Sequence, residues 1–289
     1  MRQGVKEIVL ISGKGGTGKT SIAGGFAMLS GDAVLCDCDV DAANLELILN
    51  AEHLETHEFQ ASKKARIHKD KCIECGQCRE RCKFEAIHDF EVDPWSCEGC
   101  GVCSRLCPAG AVEMYPVLSG HWFVSRTDTG PLVHARLEPG QENSGKLVSL
   151  VRQKAREIAK LENRRLIITD GPPGIGCPVI ASLSGAEMAL IVTEPTLSGF
   201  HDLDRVLKVC RHFGVPAAVC INKYDISPEH SGEIEAKCWE RDIPVVGKIP
   251  YDENVPKAMV QGMPVVKLDC PATREVRRLW EKVKEFVSL

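Results

Sequence analysis

The stretch Gly13-Lys14-Gly15-Gly16-Thr17-Gly18-Lys19-Thr20 decides how this chain of 289 residues is expected to fold. It follows the apolar residues 8–11 and precedes a helix-like segment that starts at Ser21. A glycine-rich turn between a strand and a helix lets backbone N–H groups converge on phosphate oxygens, and the helix N-terminus adds a favourable dipole. The match to G-x-x-x-x-G-K-[ST] predicts that residues 13–21 bind a nucleotide, with Lys19 at the β- and γ-phosphates and Thr20 on Mg²⁺.

Lys14 makes this loop more specific than an ordinary phosphate-binding turn. With a lysine at each end, the segment 14–20 resembles the deviant Walker A motif of the MinD/Mrp/ParA class of P-loop ATPases, which includes the nitrogenase iron protein. The resemblance implies that Lys14 reaches the nucleotide of a partner subunit, and hence a homodimer with a nucleotide-dependent interface. A solvated loop lysine is the alternative, because a cation beside phosphate is useful in a monomer as well.

Composition narrows the class of protein. The apolar content of 44%, the charged content of 26% and the formal net charge of −4 fit a globular chain and disfavour nucleic acid as a partner. There is no apolar run of about 18 residues and no signal-peptide pattern, so we expect a cytoplasmic protein without a stable membrane anchor. Fifteen cysteines without a secretory signal favour metal binding over disulfides.

Acidic residues follow two of the predicted strands. Asp37 and Asp39 end a short apolar strand, and Asp170 ends a second one. Carboxylates beside a phosphate loop can orient an attacking water and hold Mg²⁺, although solvated acids at a strand end are the alternative. The resemblance implies that Asp39 positions the hydrolytic water and that Asp37 lies nearer the metal. Asp170 is expected in the outer shell of Mg²⁺, with the Gly171 N–H sensing the γ-phosphate.

One cysteine spacing occurs twice within residues 72–107. Cys72-x-x-Cys75-x-x-Cys78-x-x-x-Cys82 is followed by Cys97-x-x-Cys100-x-x-Cys103-x-x-x-Cys107, which is the bacterial two-cluster ferredoxin pattern. Three cysteines of one run there share a cubane with the fourth of the other run. Zinc is the alternative, although a structural zinc ion needs only four ligands in two pairs. The spacing predicts two [4Fe–4S] clusters, one on Cys72, Cys75, Cys78 and Cys107 and one on Cys97, Cys100, Cys103 and Cys82.

Asn222-Lys223-Tyr224-Asp225 is a candidate for reading the nucleotide base. As N-K-x-D it also matches the guanine signature of GTPases, in which the aspartate pairs with ring N–H groups. The deviant Walker class instead binds adenine with this asparagine and a later loop, which corresponds here to Pro250-Tyr251-Asp252. We expect ATP and ADP as ligands, with GTP as the alternative.

Apolar strands alternate with helices along the rest of the chain, which predicts an α/β fold with a doubly wound, mostly parallel sheet. An α+β, bacterial-ferredoxin-like domain interrupts the nucleotide domain. The predicted boundaries are 1–60 and 117–289 for the two parts of the P-loop ATPase domain and 61–116 for the insert. Cys177 is expected to pack at a helix start, with a role facing a partner subunit as the alternative.

These features predict an ATP-hydrolysing, dimeric iron–sulfur protein. Its nucleotide state would be coupled to electron transfer or to redox-dependent docking of an unidentified redox or client protein, because the insert begins shortly after Asp39. One alternative is an iron–sulfur cluster carrier or assembly ATPase of the Mrp type, although the C-terminal C-x-x-C of Mrp proteins is absent from this sequence. The other is a positioning or partitioning ATPase with redox-sensing clusters.

Overall fold

The computed structural model describes residues 4–141 and 144–289. The chain divides into two compact units: the first takes the residues up to 57, 122–136 and 144–289, and the second takes 58–121 and the segment from 137. The predicted insert, residues 61–116, lies inside the second unit. The strands are β1 (Lys6–Ser12), β2 (Ala33–Asp37), β3 (Glu52–Phe59), β4 (Ser62–Ile67), β5 (Ile87–His88), β6 (Glu91–Val92), β7 (Val112–Val117), β8 (Gly120–Thr127), β9 (Gly130–Leu137), β10 (Leu166–Pro173), β11 (Met188–Thr193), β12 (Ala217–Asn222) and β13 (Val245–Ile249). The helices are α1 (Lys19–Ser30), α2 (Leu45–Ile48), α3 (Gln77–Glu80), α4 (Val102–Leu106), α5 (Ser144–Leu161), α6 (Cys177–Leu183), α7 (Leu197–His212), α8 (Pro228–Trp239), α9 (Asn254–Val260) and α10 (Pro271–Phe286), with a 3₁₀ turn at Val265–Lys267.

A nine-stranded sheet with the order β13-β12-β11-β1-β10-β2-β9-β8-β3 carries the nucleotide half of the chain. Each neighbouring pair from β13 to β9 is parallel, as the alternation of strands and helices predicts. Because parallel strands end at one edge of a sheet, the residues that follow β1, β2 and β10 meet there. No helix of the described residues is both long and apolar enough to cross a membrane.

Alternate residues of β1 enter two different hydrophobic clusters. Ile8 and Leu10 pack with residues of α1 and α10, whereas Val9 and Ile11 pack with residues of α6, α7 and α8. Successive side chains of a strand point to opposite faces, so helices cover both faces of this part of the sheet. The strand that leads into the phosphate loop is therefore buried on both of its faces.

The second unit is small and built around short ladders. Strands β4 and β7 pair antiparallel from Ser62↔Val117 to Ile67↔Val112, and β5 pairs with β6. The helices α3 and α4 each begin after a glycine in the left-handed region, Gly76 with φ of 76° and Gly101 with φ of 74°. The β4–β7 ladder thus joins the chain before the first cysteine run to the chain after the second run.

Candidate nucleotide site and two cysteine-lined cavities

The phosphate loop connects β1 to α1. Gly16 and Gly18 have φ values of 78° and 90°, which favour glycine. A Cβ at Gly13 would lie 2.2 Å from the Cβ of Asp202, so a larger residue does not fit there. Lys19 is buried, and the buried hydroxyl of Thr17 has no hydrogen-bond partner among the described residues. A buried polar group without a partner is expected where a ligand completes the site.

The start of α1 positions the two residues that follow Lys19. Thr20 is partly buried, and Ser21 is buried with its hydroxyl 2.9 Å from the Sδ of Met259. The Ser21 side chain, predicted to contact the nucleotide, therefore has a partner within the protein.

Asp170 is a buried carboxylate at the edge of the sheet where the phosphate loop begins. Its two oxygens have no hydrogen-bond partner among residues 4–141 and 144–289. Burial raises the pKa of Asp170, and the positive charge of Lys19 and then the nearby Thr20 hydroxyl limit the increase. The next residue, Gly171, is packed so closely on β1 that a Cβ would lie 2.6 Å from the carbonyl oxygen of Leu10. The unpartnered oxygens of Asp170 fit a hydrated divalent cation at this position.

Asp37 is the register partner of Asp170 on β2. Burial and then the Asp170 charge raise the pKa of Asp37 well above its usual range, although backbone N–H groups donate to it. Its Oδ2 accepts from the N–H of Leu45 at 3.0 Å and of Asn44 at 3.2 Å, and its Oδ1 accepts from the N–H of Asp39 at 3.1 Å. Asp37 therefore holds the backbone at the start of α2. The sequence predicted only that it lies near the metal.

Asp39 lies in the loop between β2 and α2. Burial raises the pKa of Asp39 to about 6, with the Lys19 ammonium opposing and the Asp170 charge adding to that effect. A carboxylate whose pKa lies near neutrality accepts a proton more readily than an ordinary aspartate. The side chain has the chemistry expected of a group that orients an attacking water.

Lys14 is held within its own chain in this structure. Its Nζ lies 2.6 Å from Glu194 Oε1, and it donates to the hydroxyls of Thr196 at 3.1 Å and Ser198 at 3.0 Å. The other carboxylate oxygen of Glu194, Oε2, lies 3.1 Å from Lys223 Nζ. Although burial alone would raise the pKa of Glu194, hydrogen bonds from Lys14 and Lys223 lower it. Glu194 is thus the counter-ion of two predicted site lysines.

Asn222 and Lys223, the predicted base readers, contact the phosphate loop itself. The Nδ2 of Asn222 donates to the carbonyl oxygen of Thr17 at 2.8 Å, and the Nζ of Lys223 donates to that of Gly16 at 3.2 Å. A Cβ at Gly18 would lie 2.3 Å from the same Nδ2, so the glycine is required by this contact. The end of β12 therefore braces the loop that would hold the phosphates.

The loop Pro250-Tyr251-Asp252 follows β13 and is also tied down. The backbone N–H of Tyr251 donates to Oδ1 of Asp225 at 2.7 Å. Asp252 accepts from the N–H of Asn254 at 2.9 Å and from the N–H of Ala272 at 3.1 Å, at the starts of α9 and α10. The carboxylates of Asp225 and Asp252 thus organise this loop, while the Tyr251 ring is exposed.

The eight repeated cysteines line two cavities of the second unit. We name one of them the Cys72 cavity and the other the Cys97 cavity. The four-residue groups are the ones that the spacing assigns to separate clusters. The Cys72 cavity has Cys72, Cys75, Cys78 and Cys107, and the Cys97 cavity has Cys82, Cys97, Cys100 and Cys103.

Both cavities offer free thiols in apolar surroundings. Burial raises the pKa of Cys78 and of Cys103, each of which lies in the one-turn helix of its run. In the Cys72 cavity the N–H of Ala111 donates to the Sγ of Cys107 at 3.3 Å. Four thiols without disulfide partners fit a metal cluster or a tetrahedral zinc ion by donor chemistry alone. The apolar lining includes Ile67, Ile73, Phe90 and Val112 in the Cys72 cavity and Phe84, Ile87, Val92 and Met114 in the Cys97 cavity.

Comparison with known sequences identifies the nucleotide-binding part. The CbiA family, described as the CobQ/CobB/MinD/ParA nucleotide binding domain, matches residues 8–265. The chain belongs to the CbiA family. An uncharacterized protein of Methanocaldococcus jannaschii is 32% identical to it over 286 residues, which are 98% of either chain. The iron–sulfur cluster carrier protein of the same organism is 25% identical over 203 residues, 65% of this chain and 69% of that one.

A solved structure supports the same fold. The septum site-determining protein MinD of Pyrococcus horikoshii, complexed with Mg-ADP, superposes with a TM-score of 0.62 at 20% identity and covers 97% of this chain and 96% of its own. The predicted P-loop ATPase fold with a mostly parallel sheet is therefore confirmed for this CbiA-family protein.

Two features of the CbiA-family site differ from or extend the sequence prediction. Cys177 begins α6 and is exposed, so the expectation that it packs at the helix start is wrong. No motif in the sequence indicates that Glu194 pairs with Lys14 and Lys223. Its position at the carboxyl end of β11, on the edge that carries the phosphate loop, was the available signal.

Proposed function

We propose that this CbiA-family protein hydrolyses ATP as a homodimer and holds two [4Fe–4S] clusters whose redox state is coupled to the bound nucleotide. The clusters would serve electron transfer to, or docking of, a redox or client protein. The proposal is supported by one observation above all: the eight repeated cysteines sort into two four-thiol cavities in a chain that also carries a phosphate loop. Cytoplasmic residence belongs to the same proposal.

The nucleotide chemistry is assigned to residues at one edge of the sheet. Lys19 and the loop N–H groups would bind the phosphates, while Thr20 and Asp170 would hold Mg²⁺, which neutralises charge on the phosphates when bound. Asp39 would orient the attacking water. Lys14 would leave Glu194 and complete the site of the partner subunit.

Adenine is favoured over guanine by the contacts of Asp225. GTPases use both oxygens of this aspartate to accept from the guanine ring, whereas here Oδ1 already accepts from the Tyr251 N–H at 2.7 Å. Titration with ATP and GTP in the presence of Mg²⁺ tests the assignment. We expect tighter binding of ATP, and tighter binding of GTP would contradict it.

Metal content tests the clusters directly. Anaerobically purified protein is expected to contain about eight iron atoms and about eight sulfides per chain. Cys75→Ser removes a thiol of the Cys72 cavity and should lower the iron content by up to about one half. The exposed Cys177→Ser is the matched control and should change nothing. Zinc in place of iron would contradict the proposal.

Coupling is tested by the reduction potential of the clusters with and without a non-hydrolysable ATP analogue. Linkage requires that a tenfold difference in nucleotide affinity between the two redox states shifts a one-electron potential by about 60 mV. We expect a shift, and the same factor in nucleotide affinity on reduction. Identical potentials in both conditions would leave an ATPase whose clusters are structural.

A second candidate function is iron–sulfur cluster delivery, which the similarity to the M. jannaschii carrier protein favours. Delivery requires a labile cluster, whereas three of the four thiols in each cavity are buried or half-buried, which favours retention; Cys75 and Cys100 are the exposed ones. Incubation with an apo-ferredoxin separates the two functions: transfer of iron to the acceptor supports delivery, and full retention supports the coupled ATPase.

A further inference from the structure

Glu46 on α2, His53 on β3 and His134 on β9 converge at a place that neither the nucleotide site nor the cysteine cavities use. Glu46 Oε2 lies 3.0 Å from His53 Nε2 and 3.4 Å from His134 Nδ1. One ligand atom from each residue lies within 4.8 Å of the others. We propose that these three side chains bind a divalent transition-metal ion, with Zn²⁺ as the best match.

Two of the three distances in the cluster suit a small tetrahedral ion, and the third, between the two imidazole nitrogens, lies within 4.8 Å. Bonds of about 2.1 Å at the tetrahedral angle place two ligand atoms about 3.4 Å apart. The two carboxylate–imidazole distances, 3.0 and 3.4 Å, are already near that value. Two imidazoles and one carboxylate are a recognised zinc donor set that leaves a fourth position for water. Since the His53 side chain is 44% exposed, solvent can reach that fourth position.

The protons of the cluster also fit metal binding. Without metal, two imidazole nitrogens face the single oxygen Oε2 of Glu46, which can accept their protons in hydrogen bonds. A bound ion takes the place of those two hydrogen bonds, and the single proton of each neutral imidazole then lies on the other ring nitrogen, so no net proton is released. For His134 this nitrogen is Nε2, which lies 2.9 Å from the Ser125 hydroxyl. A partner for the non-ligating nitrogen is what fixes the tautomer of a metal-binding histidine.

The surroundings hold the donors in place. The ring of Phe123 stacks on His134 with centroids 4.9 Å apart and an interplanar angle of 23°, and it lies 4.9 Å from the His53 ring. Arg136 donates to Oε1 of Glu46 at 2.7 Å, which leaves Oε2 as the oxygen turned to the histidines. The carboxylate would therefore bind the ion through one oxygen.

A metal here would tie α2 to the sheet. Glu46 directly follows Leu45, whose N–H donates to Asp37, and His134 is the register partner of Asp37 on the neighbouring strand. An ion that joins Glu46 to His134 would restrain both ends of the segment that positions Asp37. Two separate connections thus link the site to Asp37: one runs through Leu45, the residue before Glu46, and the other is the pairing of His134 with Asp37 in the sheet.

Cobalt is a suitable spectroscopic probe for the full-length protein. Co²⁺ bound to nitrogen and oxygen gives visible d–d bands without the intense sulfur-to-cobalt charge-transfer band that cysteine sites produce. The difference spectrum between wild type and His53→Gln isolates the proposed site from the cysteine cavities. We expect about one equivalent of Co²⁺ in that difference, competed by Zn²⁺.

Variants decide whether these residues are the ligands. His53→Gln and Glu46→Gln should weaken binding by at least about 100-fold, and Ser125→Ala by about 10-fold, because loss of an outer-shell partner alone costs about 10–100-fold. His57→Gln is the matched control, since His57 is on the same strand and pairs with Glu55 instead. Unchanged binding in His53→Gln, an equal loss in His57→Gln, or a charge-transfer band in the difference spectrum would overturn the proposal.

Discussion

Replacing Asp170 by asparagine is expected to stabilise the nucleotide-free protein while it abolishes the response to Mg²⁺ and nucleotide. The carboxylate is 1% exposed, and its oxygens have no hydrogen-bond partner among the described residues. Because burial raises the pKa of Asp170, the ionised form costs stability at every pH above that raised pKa. A neutral side chain of the same shape removes the buried charge.

The size of the effect follows from that burial. An unsatisfied buried polar group costs about 1–3 kcal/mol, and a charged one costs more. Because asparagine keeps a polar group and removes only the charge, we expect the variant without ligand to gain about 1 kcal/mol. For a unit of this size, each kcal/mol raises Tm by about 2–4 °C. Wild type should gain about 2.7 kcal/mol from Mg-ADP at 100 times its Kd, and the variant should gain almost nothing.

Thermal unfolding followed by circular dichroism, in EDTA, with Mg²⁺ and with Mg-ADP, measures both effects. Asp41→Asn is the matched control, because Asp41 lies in the same acidic segment as Asp39 but is exposed, and it should leave both Tm values unchanged. A nucleotide-free Asp170→Asn protein less stable than wild type, or an undiminished Mg-ADP shift in the variant, would refute the assignment of Asp170 to the cation.

Three further substitutions test interactions within the first unit. Glu7→Ala leaves the buried guanidinium of Arg152, 2.7 Å from Glu7 Oε1, without its counter-ion, so urea unfolding should show a loss of about 3–5 kcal/mol, with less for Glu7→Gln. Gly171→Ala places a Cβ 2.6 Å from a backbone oxygen of β1 and should cost about 1–3 kcal/mol in the same assay, together with nucleotide affinity. A hydrogen bond from Lys208 is the main cause that lowers the pKa of Asp204 from 3.8 to about 2. The resulting stabilisation is present above pH 3.8 and is lost as pH falls through about 2, so Asp204→Asn should flatten acid unfolding in that window by less than about 1 kcal/mol.

Contiguous motifs allowed much of this molecule to be predicted. The phosphate loop is determined locally, because Gly16 and Gly18 need φ values that other residues rarely adopt and their order along the chain is enough to specify the turn. The grouping of the cysteines is likewise encoded in spacing, since a helical turn after Gly76 or Gly101 carries the third thiol of each run. The parallel sheet follows from apolar strands that alternate with helices.

Contacts between distant single residues could not be predicted in that way. Glu194 reaches Lys14 across 180 positions of sequence, and nothing near either residue indicates the pairing. The cluster at Glu46 combines one residue each from α2, β3 and β9, none of which forms a motif. Strand β3 was not predicted because it is largely exposed and carries charged residues, so its alternation lacks an apolar face.

The two lysines on Glu194 have a consequence for the reversibility of assembly. Each oxygen of that carboxylate has its own ammonium group, Lys14 on one and Lys223 on the other. In the proposed homodimer Lys14 would leave Glu194 for a phosphate on the second copy of the chain, and Glu194 would stay paired with Lys223. A lysine that can leave without exposing an unpaired carboxylate suits a dimer that forms and dissociates in each catalytic cycle.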